Sequence, residues 1–232
     1  MENNNNNNAD NSNGVENTFN MPRLGEKAPY FEANTTHGPK KITDYKGKWL
    51  ILFSHPADFT PVCTTEFIAF QKIKPELDKR NVELLGLSID SIYSHIAWVN
   101  RIHEKFGVKI EFPIIDDISM NIAKKYGMIH PNQSSTSASR CVFVIDPKLI
   151  VRAMIYYPLS TGRNMNEILR LIDALQTTDE HSVATPANWK PFDDVIIFPA
   201  NTSVIAEKRI NDEKLKCKDW FFCTKNIKTK KD

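Results

Sequence analysis

An α/β fold is predicted by three features of the chain between residues 21 and 180. Apolar runs of strand length are bounded by turn residues, segments of helical apolar spacing alternate with them, and Gly, Pro and charged residues stay at ordinary globular frequencies. Trp49 to Phe53 reads as a buried strand, and a helix follows from about Thr64 to Arg80 with Phe67, Phe70, Ile73 and Leu77 on one stripe. Val82 to Ile89 is the next strand and completes a βαβ unit. A second helix is expected over Ser91 to Phe106, with Ile92, Ile96, Val99 and Phe106 inward and Gly107 as its stop. Cys141 to Ile145 and Ile150 to Ile155 flank the turn Asp146-Pro147-Lys148 and predict a hairpin. The last strong helix spans about Asn164 to Leu175, with Met165, Ile168, Leu169, Ile172 and Leu175 buried.

This order suits a thioredoxin-like domain, and it suits other small α/β sandwiches as well. Four regions are expected: an Asn-rich disordered head (1–20, ten Asn), the α/β domain (21–180), a Pro-punctuated extension (181–223) and a Lys-rich tail (224–232). In the extension only Val195 to Phe198 reads as a strand, and Trp189 and Trp220 read as its anchors. The chain of 232 residues carries 30 Lys+Arg against 28 Asp+Glu, so no broad positive field suggests a nucleic-acid partner. No apolar run approaches the roughly 20 residues of a membrane span. The head lacks a secretory pattern, which points to a cytoplasmic setting and to Cys63, Cys141, Cys217 and Cys223 starting as thiols.

Chemistry concentrates between the first strand and the following helix, in residues 53–66 (FSHPADFTPVCTTE). Cys63 there falls in the first helical turn, where unpartnered N–H groups and the helix dipole favour a thiolate. Such a sulfur could equally be a buried helix-start cysteine. Thr60 puts a hydroxyl three residues before it, Pro56 adds a loop position without an N–H, and Arg140 at the start of an apolar strand is the candidate cation. Donors and a cation fixed around a thiolate would suit attack on a peroxide O–O bond. Cys141 reads as core. His37, His95, His103, His130 and His181 share no ligand spacing, Cys-x5-Cys lacks a second pair for zinc, and no Gly-rich phosphate loop occurs, so no zinc site is expected from these residues.

Pro56, Thr60, Cys63 and the following Thr64-Thr65-Glu66 resemble the peroxidatic motif of the peroxiredoxins. The fuller string is similar to the one-cysteine branch, and the likeness runs from about Arg23 to Cys223. It implies a thioredoxin-like fold in its peroxiredoxin variant with a C-terminal extension. It also implies an enzyme that reduces hydrogen peroxide and organic hydroperoxides without metal, haem or flavin. By position, Cys63 would be the peroxidatic cysteine, Thr60 and Arg140 its activators and Pro56 the shield of the sulfenate. Glu66 and Arg163 would orient Arg140, and His55 would be the histidine near the pocket. Lys48 stands where some members carry the serine of a lipase element, so that activity is not expected.

The ending Cys217-Lys-Asp-Trp-Phe-Phe-Cys223 resembles archaeal and bacterial members in which a C-terminal cysteine resolves the sulfenic acid across a dimer interface. Cys223, or in second place Cys217, is therefore the expected resolving thiol; both could instead be unreactive. A homodimer follows from the resemblance, assembly into a decamer stays open, and the external reductant is a thiol such as thioredoxin or glutathione. A disulfide reductase is disfavoured because no Cys-x-x-Cys is present. A chaperone or peroxide-relay scaffold on the same fold is the alternative from another class.

Overall fold

The computed structural model describes residues 21–227, so the expected disordered head and the end of the Lys-rich tail lie outside the described residues. Two short strands, β1 (Glu32–Ala33) and β2 (Lys40–Lys41), pair antiparallel and lead through a 3-10 turn (Ile42–Tyr45) into β3 (Trp49–Ser54). Then follow α1 (Pro61–Lys79), β4 (Val82–Ser88), α2 (Ile92–Phe106), β5 (Ile114–Asp116), α3 (Asn121–Lys125), β6 (Arg140–Ile145), β7 (Val151–Tyr157) and α4 (Met165–His181). The central sheet has the order β5-β4-β3-β6-β7, with β3 parallel to β4 and antiparallel to β6.

Period-two alternation explains why β3 and β6 read as unbroken apolar runs. Ile51, Phe53, Leu84, Ile114, Val142 and Val144 face α1, α2 and α4, whereas Leu50, Leu52, Leu85, Ile115 and Phe143 face α3 and the N-terminal segment. Gly86, opposite Phe53, leaves room for the rings of Phe53 and Phe67, which would lie 3.4 Å from an added Cβ. Among the described residues no helix is long and apolar enough to cross a membrane.

The elements depart from expectation in four places. The buried stripe of α2 is His95, Trp98 and Ile102, while Ile96 and Phe106 are exposed. The Trp98 ring and the hydrogen bonds of His95 turn the helix away from the face with more isoleucines. β5 and α3 are too short to show periodicity. α4 runs six residues beyond Leu175, to His181. The extension holds more than one strand: β8 (Val195–Ile197), α5 (Ser203–Ile210), β9 (Lys216–Asp219) and β10 (Phe222–Lys225). The three strands form a sheet of order β8-β10-β9. Trp189 is buried with Ala174, Val183 and Val195, so it anchors the extension to α4. Trp220 does not, because the tight connection between β9 and β10 holds it outward, 44% exposed.

Candidate active site

The site is assembled where β3, α1, β6 and the approach to α4 meet. Thr60 is the N-cap of α1 and Pro61 its first residue, which puts Cys63 in the first turn. The first intrahelical bond is from Thr64 N to Thr60 O, 3.0 Å, so the N–H of Cys63 has no partner within the helix. Its sulfur is buried and lies 3.3 Å from Nη1 of Arg140, which donates to it. That nitrogen also donates to Glu66 Oε2 at 2.8 Å, and Arg140 Nε donates to the carbonyl of Leu159 at 2.9 Å. One guanidinium thus spans the sulfur, a carboxylate and a loop carbonyl.

Glu66 lies one helical turn beyond Cys63, on the same side of α1. Arg163 grips it from the other side with a fork, Nε to Oε1 at 2.8 Å and Nη2 to Oε2 at 2.7 Å, while the Arg163 backbone N–H adds a third bond to Oε1. Arg163 Nη1 bonds the carbonyls of Ser54 and Cys141, both at 2.9 Å, and its guanidinium lies over the rings of Phe53 and Phe70. Burial pushes the carboxyl of Glu66 up, yet Arg163 and then Arg140 outweigh this and hold it below the usual range. Asn164 caps α4 by accepting the N–H groups of Asn166 and Glu167, which fixes the backbone next to Arg163.

Thr60, Pro56 and His55 lie on the β3–α1 loop but do not all converge on sulfur. The Thr60 hydroxyl donates to the carbonyl of Ala57 at 2.9 Å; a carbonyl only accepts, so the hydroxyl hydrogen is committed and the oxygen offers lone pairs. Pro56 is half-buried. His55 bonds Asp58 instead of the cysteine, Nε2 to Oδ1 at 2.8 Å, and Asp58 Oδ2 meets His95 Nδ1 at the same distance. His95 Nε2 is 3.1 Å from the carbonyl of Ile115. This buried His–Asp–His link was missed in the sequence because His95 is 37 positions from Asp58 and becomes its neighbour only when α2 packs on the loop. Among the described residues it is the one cluster with metal-ligand geometry, its donor atoms within 4.8 Å, but those atoms already bond one another.

The link holds the loop in a costly shape. Phe59, next to Asp58, has φ +56°, a left-handed conformation that costs a side-chain-bearing residue roughly 1–2 kcal/mol. Asp58 resists its relaxation through both histidines and through its backbone N–H, which donates to Asp90 at 3.0 Å. Burial of His55 against Trp98 and Phe67 pushes its imidazole below the usual 6.5, only partly countered by Asp58. Burial pushes Asp58 up, but hydrogen bonds from His55 and His95 prevail and bring it from 3.8 down to about 2.

Both groups therefore bind protons more weakly in the folded protein, and their stabilisation is complete only above their unfolded values. Urea midpoints are expected to fall as pH drops below 6.5. A second decline between 3.8 and about 2 follows from Asp58 and amounts to about 2 kcal/mol. In Asp58→Asn the second decline should shrink; an acid profile identical to wild type would contradict this account.

Cys141 is core, as expected: it is fully buried on β6, and burial raises its thiol to about 12. The remaining two cysteines lie elsewhere. Cys217 and Cys223 are register partners on β9 and β10 and are joined to each other by a disulfide. Their pairing with each other is set by the β9–β10 register and is not among the expectations from sequence.

Comparison with known proteins agrees with this geometry. Residues 24–154 match the AhpC/TSA family, and residues 174–213 match the C-terminal domain of 1-Cys peroxiredoxin. A peroxiredoxin of Aquifex aeolicus is 59% identical over 218 residues, covering 89% of this chain and 98% of that protein. One from Methanosarcina mazei is 53% identical, covering 88% and 98%. Among solved structures, a yeast mitochondrial 1-Cys peroxiredoxin, described for thiol resolution via glutathione and thioredoxin systems, superposes with a TM-score of 0.80 at 45% identity. It covers 89% of this chain and all of that one. A mutant Peroxiredoxin 6 of Arenicola marina gives 0.79 at 38% identity, covering 89% and 99%. With a guanidinium on the sulfur of Cys63, a thioredoxin-like frame around it and relatives that match across nearly their whole lengths, the chain belongs to the peroxiredoxin family of thiol-dependent peroxidases.

Proposed function

We propose that Cys63 is the residue on which this peroxidase reduces hydrogen peroxide and organic hydroperoxides. The observation that carries the assignment is Arg140 Nη1 lying 3.3 Å from Cys63 Sγ while it is held by Glu66. The sulfur, as thiolate, attacks the nearer peroxide oxygen. The O–O bond breaks, the peroxide's own proton passes to the departing oxygen, which leaves as water or an alcohol, and Cys63 is left as a sulfenate that takes a proton from solvent to become the sulfenic acid. Arg140 stabilises negative charge on the sulfur before attack and on the departing oxygen during it. Thr60 accepts a hydrogen bond from the peroxide O–H, the role its committed hydroxyl hydrogen leaves open. Pro56 screens the product from water. Glu66 and Arg163 are positioning residues that act through Arg140, and His55 acts through the loop it anchors.

Cys223, or in second place Cys217, then resolves the sulfenic acid from a partner subunit in a homodimer. In support, the extension packs along α4 from Arg170, whose Nη1 donates to the Trp189 carbonyl, through Ala174, beyond the site end near Met165. The buried sulfur of Cys63 also requires the first turn of α1 to open before another thiol can reach it. A thioredoxin- or glutathione-type thiol of a cytoplasmic compartment completes the cycle. Residues 21–180 serve as the catalytic domain and 181–223 as the extension that brings the resolving thiol.

Mixing reduced protein with one equivalent of hydrogen peroxide is the direct test. The peroxide should disappear within a single turnover, with a transient sulfenic acid on Cys63 that can be trapped by a dimedone-type reagent. Undiminished peroxide alongside an unmodified Cys63 would overturn the assignment.

A further inference from the structure

We propose that His95 and Trp98, on the buried face of α2, are positioning residues that hold the first turn of α1 closed over Cys63 and thereby set the balance between resolution of its sulfenic acid and a second oxidation. This rests on the peroxidase reading above and extends it to the step after peroxide attack. α2 and its approach hold the chain on both sides of the cysteine. Asp90, just ahead of the Ser91 cap, accepts the backbone N–H of Asp58 at 3.0 Å and the Ser88 hydroxyl at 2.6 Å. His95 Nδ1 meets Asp58 Oδ2 at 2.8 Å while its Nε2 reaches the Ile115 carbonyl on β5, so this hold is anchored in the central sheet. On the other side of Cys63, Trp98 Nε1 donates to Thr64 Oγ1 at 3.3 Å, and the Thr64 hydroxyl donates to the carbonyl of Thr60 at 2.8 Å. Thr64 is the next residue after Cys63, so the indole is tied to the turn that carries the sulfur.

Opening that turn carries Thr64 away from Thr60 and from α2. The Trp98 ring cannot follow, because it is buried with its centroid 5.1 Å from that of His55 and 4.6 Å from that of Phe67. Its N–H would be left without an acceptor where water does not reach, and this opposes opening. The two fates of the oxidised sulfur need different shapes of the site. In the closed site the sulfenate, beside Arg140, attacks a second peroxide. An S–O bond forms, the O–O bond breaks, the peroxide's proton passes to the departing oxygen, and the products are a sulfinate and water or an alcohol. In the opened site a thiol condenses with the sulfenic acid, forming an S–S bond and releasing water. Cys63 is fully buried when the turn is closed, so the ratio of the two fates follows the population of the opened form.

The test is a titration of full-length protein with hydrogen peroxide in the presence of dithiothreitol, with sulfinic acid on Cys63 measured by mass spectrometry and the first peroxide turnover by stopped flow. Trp98→Phe keeps an aromatic ring and removes the N–H. The peroxide concentration that half-converts Cys63 to sulfinic acid is expected to rise about fivefold, the scale of one neutral hydrogen bond, while the first turnover stays within about twofold of wild type because the closed form still dominates. Thr64→Val deletes the same bond from its other end, so adding Trp98→Phe to it should shift the titration no further. His95→Leu should shift it in the same direction, and His95→Asn, whose amide stands where Nδ1 does, should lie between His95→Leu and wild type. A purely structural role would slow the first turnover and leave the sulfinic acid titration in place, and that result in Trp98→Phe overturns the proposal. So does a titration identical to wild type in Trp98→Phe, additive shifts in the double variant, or a His95→Asn no closer to wild type than His95→Leu. Should His95→Leu fail to fold, the Trp98 and Thr64 variants decide. Peroxide loss in the first wild-type turnover separately reports the peroxidase reading, so the two can fail independently.

Discussion

In Cys63→Ser, peroxide reduction is expected to fall on the order of 10⁴-fold or more, the scale seen when a covalent nucleophile is removed. A serine hydroxyl stays protonated at neutral pH, accepts weakly from Arg140 and has no route to a sulfenic acid. The change is nearly isosteric in a site already built of hydrogen bonds, so the fold should persist. Arg140 keeps Glu66 and the Leu159 carbonyl as acceptors. The measurement is peroxide consumption by stopped flow alongside thermal unfolding. Retained turnover would remove Cys63 from the mechanism, since the other free thiol, Cys141, is buried and raised to about 12.

Glu66→Gln is expected to damage both stability and rate. The carboxylate is the shared counter-charge of two guanidinia, and Glu66, Arg140 and Arg163 are 2%, 3% and 7% exposed. An amide keeps the shape but leaves two buried positive charges facing each other and turns two of its four approaches into donors. Breaking a buried ion pair from one side costs roughly 3–5 kcal/mol. At about 2–4 °C per kcal/mol for a chain of this size, the unfolding temperature should fall by about 10 °C. Arg140 would also lose the contact that aims Nη1 at sulfur, so the peroxide rate should drop by roughly 10²-fold. Arg163→Lys is the companion: it keeps the charge, loses the fork and should cost less. Wild-type stability and rate in Glu66→Gln would show that Arg140 is held by other groups.

The alternation of strands and helices, the start of α1 near Cys63, the β6–β7 hairpin and the peroxidatic string are all legible in the chain. Each is written in contiguous residues, through a period of 2 or 3.6, a turn triplet or a cap. Arg140 was legible as a charge entering an apolar strand; Glu66, Arg163 and His55 became candidates through the family resemblance. Which groups meet follows from packing between distant segments. Cys63 and Arg140 are 77 positions apart, and Glu66 and Arg163 are 97 apart, brought together by the β3–β6 register and the packing of α4 on α1. The direction of the Thr60 hydroxyl, the partnership of His55 with Asp58 and His95, and the inward face of α2 are settled by the same packing. Local periodicity fixes which face is apolar but not which polar atoms that face will encounter. The antiparallel register of β9 and β10 likewise pairs Cys217 with Cys223, a choice that spacing left open.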